Sequence, residues 1–251
     1  VMVLASCGTN QNGKDEEPVS TPDPELVKNT VNATIELEDG DEIMLELYPD
    51  LAPDTVENFV ELAEDGFYDG TIFHRVIEDF MIQGGGYDEN LKEQKTESIK
   101  GEFAKNGFEN TLSHTRGVIS MARADYTQTY SKSLTTESYN SAGSQFFINT
   151  ASNTSLDGSY ATFGKVIEGL DVVHAIENVE VKASSKSTNS DSDSGSNTEV
   201  STPVNDVIIS NVTVETYGVD YGKPKTLDVW DYYDWVYKTY GINLKSYNSG
   251  K

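Results

Sequence analysis

The chain has 251 residues, 42 of them acidic and 18 basic, which gives a formal charge of -24 at pH 7. This charge argues against the clustered Lys and Arg that phosphate groups require, so we expect no nucleic-acid partner and no direct contact with an anionic bilayer. A single cysteine excludes an internal disulfide framework and a multi-cysteine zinc site. The length is ample for one large domain with a hydrophobic core.

The start of the chain is apolar up to its one cysteine and polar directly after it. Residues 4–7, Leu-Ala-Ser-Cys, resemble a bacterial lipobox, so residues 1–7 are interpreted as the remnant of a truncated lipoprotein signal peptide. The alternative is a stray cysteine behind a short apolar tail. The lipobox predicts lipidation at Cys7, a location outside the cytoplasm on the bacterial cell membrane, and membrane contact only through the lipid. Residues 8–29 are predicted to be a flexible linker.

Most of the predicted elements are short strands. Residues 31–38 and 41–48 alternate apolar and polar positions around Asp39-Gly40, a pair that favours a tight hairpin. Further segments also have the composition or alternation typical of strands, and these are residues 71–77, 80–83, 117–121, 145–149, 162–166 and 206–216.

Two segments have helical spacing. From Pro53 onwards apolar residues recur at intervals of three and four, with Asp54 or Thr55 available as the N-terminal cap and Gly66 as the stop. A second, shorter helix is predicted over residues 170–178. Many short strands with two helices favour a β-barrel or a sandwich with helical plugs.

Three segments fall outside this pattern. Residues 126–140 are rich in Ser, Thr and Tyr, and residues 183–201 in Ser, Asn and Asp, so both are predicted to be surface loops, the second one disordered. Residues 217–251 form a C-terminal extension. It carries an aromatic stripe at helical spacing, made of Trp230, Tyr233, Tyr237 and Tyr240. A helix that packs this stripe on the barrel is favoured over an exposed aromatic surface for a peptide or a glycan.

The common patterns for metal and nucleotide chemistry are missing from the sequence. The three histidines, His74, His114 and His174, are far apart and do not form an HExxH motif, so each is interpreted as structural and no metal site is predicted. The glycines at 84–86 are not followed by the Lys-Ser/Thr of a P-loop and are interpreted as a turn. We therefore expect no cofactor.

Four motifs occur in order between residues 30 and 216. They are FHRVIEDFMIQGG at 73–85, GVISMARA at 117–124, GSQFFI at 143–148, and LDG at 156–158 followed by FGKV at 163–166. Together they resemble the signature of the cyclophilins, the peptidyl-prolyl cis/trans isomerases. The resemblance implies a mainly β fold over residues 30–216, a closed eight-stranded antiparallel barrel capped by two helices. The C-terminal aromatic helical extension at 217–251 would follow it.

The reaction of that family explains which residue types it needs. Rotation about a peptide bond costs about 18–20 kcal/mol because resonance gives the bond partial double-bond character. At X-Pro bonds the two isomers interconvert only over tens to hundreds of seconds. A cationic donor aimed at the prolyl nitrogen stabilises the twisted bond, since that nitrogen regains its lone pair only on twisting. An apolar pocket holds the proline ring while the other end turns.

The resemblance also assigns a role to each site residue. Arg75 is the cationic donor, and Gln83 orients its guanidinium. The walls of the proline pocket are Phe80, Met81, Phe147 and Leu156. The residues that bind the extended substrate are Ala122, Arg123 and Gln145, with Tyr160 at the rim. Arg123 stands where the family commonly has Asn, which matters little if only its backbone is used.

The leading hypothesis is an isomerase that turns X-Pro bonds in exported proteins and assists their folding. Its partners would be proline-containing peptides and unfolded exported proteins, and we expect a monomer because no heptad seam suggests assembly. The first alternative is a non-catalytic cyclophilin-like module that binds proline-containing peptides. The second is that the aromatic tail is the functional surface. The presence of Arg75, Phe80, Gln83 and Phe147 together favours the enzyme.

Overall fold

The computed structural model describes residues 27–184 and 199–244. The strands in these residues are β1 Val31–Leu37, β2 Glu42–Leu47, β3 Arg75–Ile77, β4 Met81–Gly84, β5 Ser98–Ile99, β6 Val118–Met121, β7 Phe146–Asn149, β8 Ala161–Glu168, β9 Val181–Ala183, β10 Val200–Pro203, β11 Ile209–Glu215 and β12 Thr226–Leu227. The α-helices are α1 Pro53–Glu64, α2 Tyr126–Thr129, α3 Thr135–Tyr139, α4 Leu170–Glu177 and α5 Tyr232–Tyr240. The predicted lipobox with Cys7 and most of the linker lie outside the described residues.

Eight strands of the described residues form one antiparallel sheet, in the order β11-β1-β2-β8-β6-β7-β4-β3. Its edges are β3 and β11, so the ladder is open and the prediction of a closed barrel is corrected. The reason lies in the strand predicted over residues 71–77, which is split around His74. Residues before the split bridge to the start of β11, where the Ile209 N–H donates to the Thr71 carbonyl at 2.8 Å. Residues after it form β3 and pair with β4 instead.

The predicted hairpin and both predicted helices are confirmed. β1 and β2 pair in a register that sets Ile35 opposite Ile43, and Gly40 takes the left-handed conformation of the turn with φ 90°. α1 packs its apolar face against the sheet, where it contacts β8 and β11. There Phe59 is fully buried and its ring lies 5.8 Å from that of Phe146 and 5.5 Å from that of Phe163. These aromatic contacts fix the position of β7, which carries part of the candidate site.

The N-terminus of α1 is capped by a residue far away in the sequence. The residue at the cap position is Ala52, which has no side-chain acceptor, and neither Asp54 nor Thr55 caps the helix as predicted. The buried carboxylate of Glu102 accepts hydrogen bonds from the N–H groups of Asp54 and Thr55 at 3.1 and 2.8 Å, and from the Thr55 hydroxyl at 2.7 Å. Burial raises the pKa of Glu102, although these bonds act against it. The capping prediction is therefore corrected.

Replacing Glu102 with Ala is expected to destabilise the protein by about 2 kcal/mol, because the first turn of α1 loses its acceptor while its donors stay buried. The measurement is the free energy of unfolding in urea. Glu64→Ala, at the exposed C-terminal end of the same helix, is the matched control and should change it little. Equal effects of the two substitutions would contradict the capping role.

The two inserts contain more regular structure than predicted. Residues 126–140 are not an irregular loop, because α2 and α3 lie there. The carboxylate of Asp125 accepts hydrogen bonds from the N–H groups of Thr127 and Gln128 at the start of α2, and Leu134 is buried ahead of α3. The ends of the 183–201 insert pair as the β9–β10 ladder. Residues 185–198, on which most of the disorder prediction falls, lie outside the described residues.

The aromatic stripe of the C-terminal extension does not pack on the sheet. Tyr233, Tyr237 and Tyr240 are 38%, 58% and 62% exposed, whereas Trp230 stacks on Tyr126 of α2 at 4.3 Å. The packing prediction is therefore wrong for these three tyrosines. The reason is the rotation of α5, whose buried residue is Val236. None of the helices in residues 27–184 and 199–244 is both long and apolar enough to cross a bilayer.

Candidate active site

The predicted catalytic pair lies at one end of the sheet, where β3, β4 and β7 run side by side. Arg75 of β3 is directly opposite Gln83 of β4, which is opposite Phe147 of β7. Residues directly opposite each other in antiparallel strands project to the same face. Arg75 Nη1 donates to Gln83 Oε1 at 3.3 Å, and Gln83 Nε2 donates to Gln145 Oε1 at 2.9 Å. Gln83 therefore contacts both Arg75 and Gln145, and its orienting role stays a prediction.

The apolar residues predicted for the proline pocket come from three nearby segments. Met81 and Phe147 are buried, and the Met81 sulfur lies 3.9 Å from Arg75 Nη1. Phe80 and Leu156 are partly exposed. The amide of Asn153, three residues before Leu156, donates to the Phe80 carbonyl at 2.7 Å and so ties their two loops together. The structure thus brings the guanidinium and these apolar side chains to one region of the surface.

Two of the residues predicted to bind the extended substrate, Ala122 and Arg123, directly follow β6, and the third, Gln145, directly precedes β7. The Ala122 N–H donates to the Gln145 carbonyl at 2.8 Å, which continues the β6–β7 pairing by one residue. The side chain of Arg123 is occupied elsewhere, since its Nε donates to the Ser159 carbonyl at 3.0 Å and its guanidinium lies 4.7 Å from the ring centre of Tyr160. The side chain of Arg123 is therefore held by these contacts and holds Tyr160 by a cation–π contact.

His114 supports this site from behind and was interpreted from the sequence only as structural. Its ring lies parallel to that of Phe147 at 6.0 Å, and its ring nitrogens lie 2.8 Å from Asp157 Oδ1 and 3.0 Å from Ser120 Oγ. Burial lowers the pKa of His114, although Asp157 acts in the opposite direction. The interpretation as a hydrogen-bonded structural residue is confirmed. No local feature of the sequence predicts that the His114 ring lies next to Phe147.

Glu199 is the second residue that the sequence did not indicate. Its carboxylate accepts two hydrogen bonds from Arg75, one from Nε at 2.7 Å and one from Nη2 at 2.8 Å. It directly precedes β10, at the end of an insert assigned to a disordered surface loop. The available signal was the run Val200-Ser-Thr, whose β-branched residues favour a strand after the low-complexity part.

A groove of about 600 Å³ extends from the site toward the C-terminal extension. Its lining includes the site residues Gln83, Ala122 and Gln145 and, at the other end, Tyr126 and Trp230. Of the glycines predicted to form a turn, Gly84 is the last residue of β4, and only Gly85 and Gly86 form a bend. A Cβ at Gly86 would overlap the Gln145 side chain. In the described parts of the chain, no cluster of three or more His, Cys, Asp or Glu residues could hold a metal ion.

Comparisons with known proteins point to one family. Residues 32–214 match the family model described as cyclophilin type peptidyl-prolyl cis-trans isomerase/CLD. The chain is 46% identical over 142 residues to the peptidyl-prolyl cis-trans isomerase of Acinetobacter baylyi, covering 55% of this chain and 67% of that one. It is 40% identical over 182 residues to peptidyl-prolyl cis-trans isomerase B of Escherichia coli, covering 69% and 93%.

A solved structure agrees with these relatives. It is a cyclophilin type peptidyl-prolyl cis-trans isomerase of Cryptosporidium parvum, determined in the presence of the dipeptide Ala-Pro. The match has a TM-score of 0.53 and 26% sequence identity, and it covers 74% of this chain and 99% of that one. The similarity therefore extends over nearly the whole of the solved domain.

Proposed function

Because the chain belongs to the cyclophilin-type peptidyl-prolyl cis-trans isomerases, we propose that it turns X-Pro bonds in exported proteins and assists their folding. The isomerase activity itself follows from the family and from the similar isomerases. One observation carries the site assignment. Gln83 bonds to the guanidinium of Arg75 and so holds it beside the apolar side chains of Met81 and Phe147.

The proposed mechanism needs no covalent step. The proline ring packs against Phe147 and Met81, while the backbone around Ala122 and Arg123 bonds the extended chain. Arg75 donates toward the prolyl nitrogen, whose lone pair becomes available only as the bond twists, so the interaction is stronger in the transition state than in either planar isomer. The Ala-Pro dipeptide used with the Cryptosporidium isomerase supports a proline-containing peptide as the ligand.

The first experiment is NMR exchange spectroscopy of a short X-Pro peptide with a catalytic amount of the wild-type protein. Faster exchange between the cis and trans signals would support the enzyme. A folded protein that binds the peptide without speeding exchange would instead favour the alternative, a non-catalytic module for proline-containing peptides. The presence of both the donor Arg75 and its partner Gln83 supports the enzyme.

The groove beside the site supports a proposal about substrate preference, namely that its aromatic end contacts substrate residues several positions from the proline. Trp230 stacks on Tyr126 at 4.3 Å, and both line the groove together with Gln145. Trp230→Ala is expected to lower kcat/KM about five-fold for a ten-residue peptide, because a buried aromatic contact contributes on the order of 1 kcal/mol. For a four-residue peptide kcat/KM should stay unchanged.

The control is Tyr240→Ala, which removes an aromatic side chain from an exposed end of α5 that does not line the groove. It should leave both peptides unaffected. An equal loss for the long and the short peptide with Trp230→Ala would contradict the proposal and indicate a general disturbance of the site.

We also propose that Cys7 carries a lipid that anchors the protein outside the cytoplasmic membrane. The support is the lipobox-like segment at residues 4–7 and the polar sequence at 8–29, which would separate the folded part from the bilayer. The test is expression behind a lipoprotein signal peptide in bacteria, followed by membrane fractionation and mass spectrometry. Cys7→Ser should release the protein from the membrane fraction. An unmodified wild-type Cys7 would overturn the proposal.

A further inference from the structure

The two short side-chain hydrogen bonds of Arg75 go to a residue outside the main sheet. Nε and Nη2 donate to the two carboxylate oxygens of Glu199 at 2.7 and 2.8 Å, so the ion pair is bidentate. From this geometry we propose that Glu199 is a positioning residue for the isomerase reaction, one that fixes the plane of the Arg75 guanidinium. The proposal rests on the isomerase activity described above.

The carboxylate of Glu199 is itself held in place. The Ser201 hydroxyl donates to Oε1 at 2.7 Å, and Ser201 is 2% exposed. The Ser184 N–H donates to the Glu199 carbonyl at 2.8 Å, at the end of the β9–β10 ladder. Hydrogen bonding by Arg75 lowers the pKa of Glu199 to about 2, so the carboxylate is ionised at neutral pH. A fixed, charged acceptor can impose one orientation on a planar guanidinium.

The pair leaves the catalytic edge of the guanidinium available. Arg has five N–H donors in a planar fork. Glu199 takes one on Nε and one on Nη2, and Gln83 takes one on Nη1. The second N–H of Nη1 lies against the Met81 sulfur at 3.9 Å, a weak acceptor. The N–H groups left for a substrate are therefore one on Nη2 and this weakly bonded one on Nη1. Gln83 alone, at 3.3 Å, would leave the guanidinium freer to rotate, whereas the bidentate pair blocks that rotation.

The ion pair also has an effect that opposes catalysis, because the carboxylate of Glu199 partly neutralises the positive charge of the Arg75 guanidinium. The side chains of Arg75 and Glu199 are 33% and 46% exposed, so water screens their mutual attraction. The guanidinium remains a cation with two directed donors. Because water screens the charge effect but does not remove the geometric constraint, we expect removal of Glu199 to slow the reaction.

The test compares Glu199→Ala and Glu199→Gln with the wild type, using steady-state isomerisation of one X-Pro peptide. We expect Glu199→Ala to lower kcat about ten-fold with little change in KM, since misorientation of a catalytic group costs transition-state stabilisation. Glu199→Gln keeps one acceptor and should recover part of the loss. Glu180→Gln, an exposed residue directly before β9, removes the same charge from the same ladder and should leave kcat unchanged.

A second measurement follows the N–H signal of Arg75 Nε by NMR. Hydrogen exchange of this N–H should be slow in the wild type and fast in Glu199→Ala. If Glu199 only stabilised β10, the exchange rate at Arg75 Nε would not have to change. Wild-type kcat in Glu199→Ala, or faster turnover in either Glu199 variant, would overturn the positioning role while leaving the isomerase assignment intact. An inactive wild type would overturn both. Loss of thermal stability with unchanged kcat would likewise refute positioning.

Discussion

Arg75→Ala is expected to lower kcat/KM for an X-Pro peptide about a hundred-fold, the usual cost of removing one donor that stabilises a transition state. Arg75 lies on an edge strand with its side chain partly exposed, and its short hydrogen bonds go to the exposed carboxylate of Glu199, with longer ones to Gln83 and to the sulfur of the buried Met81. The loss should therefore appear in activity and not in folding. NMR exchange of the peptide measures the first, and thermal unfolding monitored by circular dichroism measures the second.

Arg75→Lys is the matched variant. It keeps the positive charge but cannot make the bidentate pair with Glu199, so we expect an activity between those of the wild type and Arg75→Ala. If Arg75→Ala retained wild-type activity in a folded protein, the donor role would be wrong and the pocket alone would have to lower the barrier. If Lys restored full activity, charge without direction would be sufficient.

The strands and the first helix could be predicted because their signals are local. In the β1–β2 hairpin, apolar and polar residues alternate, and in α1 apolar residues recur every three or four positions. Each pattern indicates which face of the element is buried, and the structure buries those faces. The ordered motifs at 73–85 and 143–148 also placed Arg75, Gln83 and Phe147, which cross-strand pairing brings together. Predictions from local pattern and motif order therefore agree with the structure in the sheet.

The open edges of the sheet could not be predicted in the same way. The sequence of residues 71–77 favours one continuous strand, yet the chain pairs with β11 before His74 and with β4 after it. Which neighbour an edge residue selects depends on the twist and closure of the whole sheet, and no local pattern encodes that choice. The sequence therefore predicts the presence of this strand but not its division.

Hydrogen bonds between side chains that are distant in sequence could not be predicted for a related reason. Glu102 caps a helix that begins almost fifty residues earlier, and Glu199 bonds to Arg75 across 124 positions. A lone Glu in a polar segment is usually a solvated side chain, so composition gives no reason to single it out. Both carboxylates acquire their roles only when the fold brings buried or directed donors to them.

Phe147→Ala is expected to lower kcat/KM about thirty-fold, because the proline ring loses a wall of its pocket and the binding of the twisted state with it. Phe147 is 5% exposed, lies parallel to His114, and meets the ring of Tyr160 edge-on at 5.7 Å. The same substitution should also lower the free energy of unfolding by about 3 kcal/mol, since it leaves a cavity in front of His114. Steady-state isomerisation and urea unfolding measure the two effects.

The matched comparison is between Phe147→Leu and Phe146→Leu, adjacent residues on opposite faces of β7. Phe146 is fully buried against Phe59 and Phe73 in the core, away from the candidate site. Both substitutions remove an aromatic ring from the same strand and should lower stability by similar amounts. Only Phe147→Leu should lower kcat/KM, because only that side chain lies on the face of the sheet that carries Arg75 and Gln83. Equal losses of activity would mean that the effect comes from a weakened β7, and the pocket assignment of Phe147 would then be wrong.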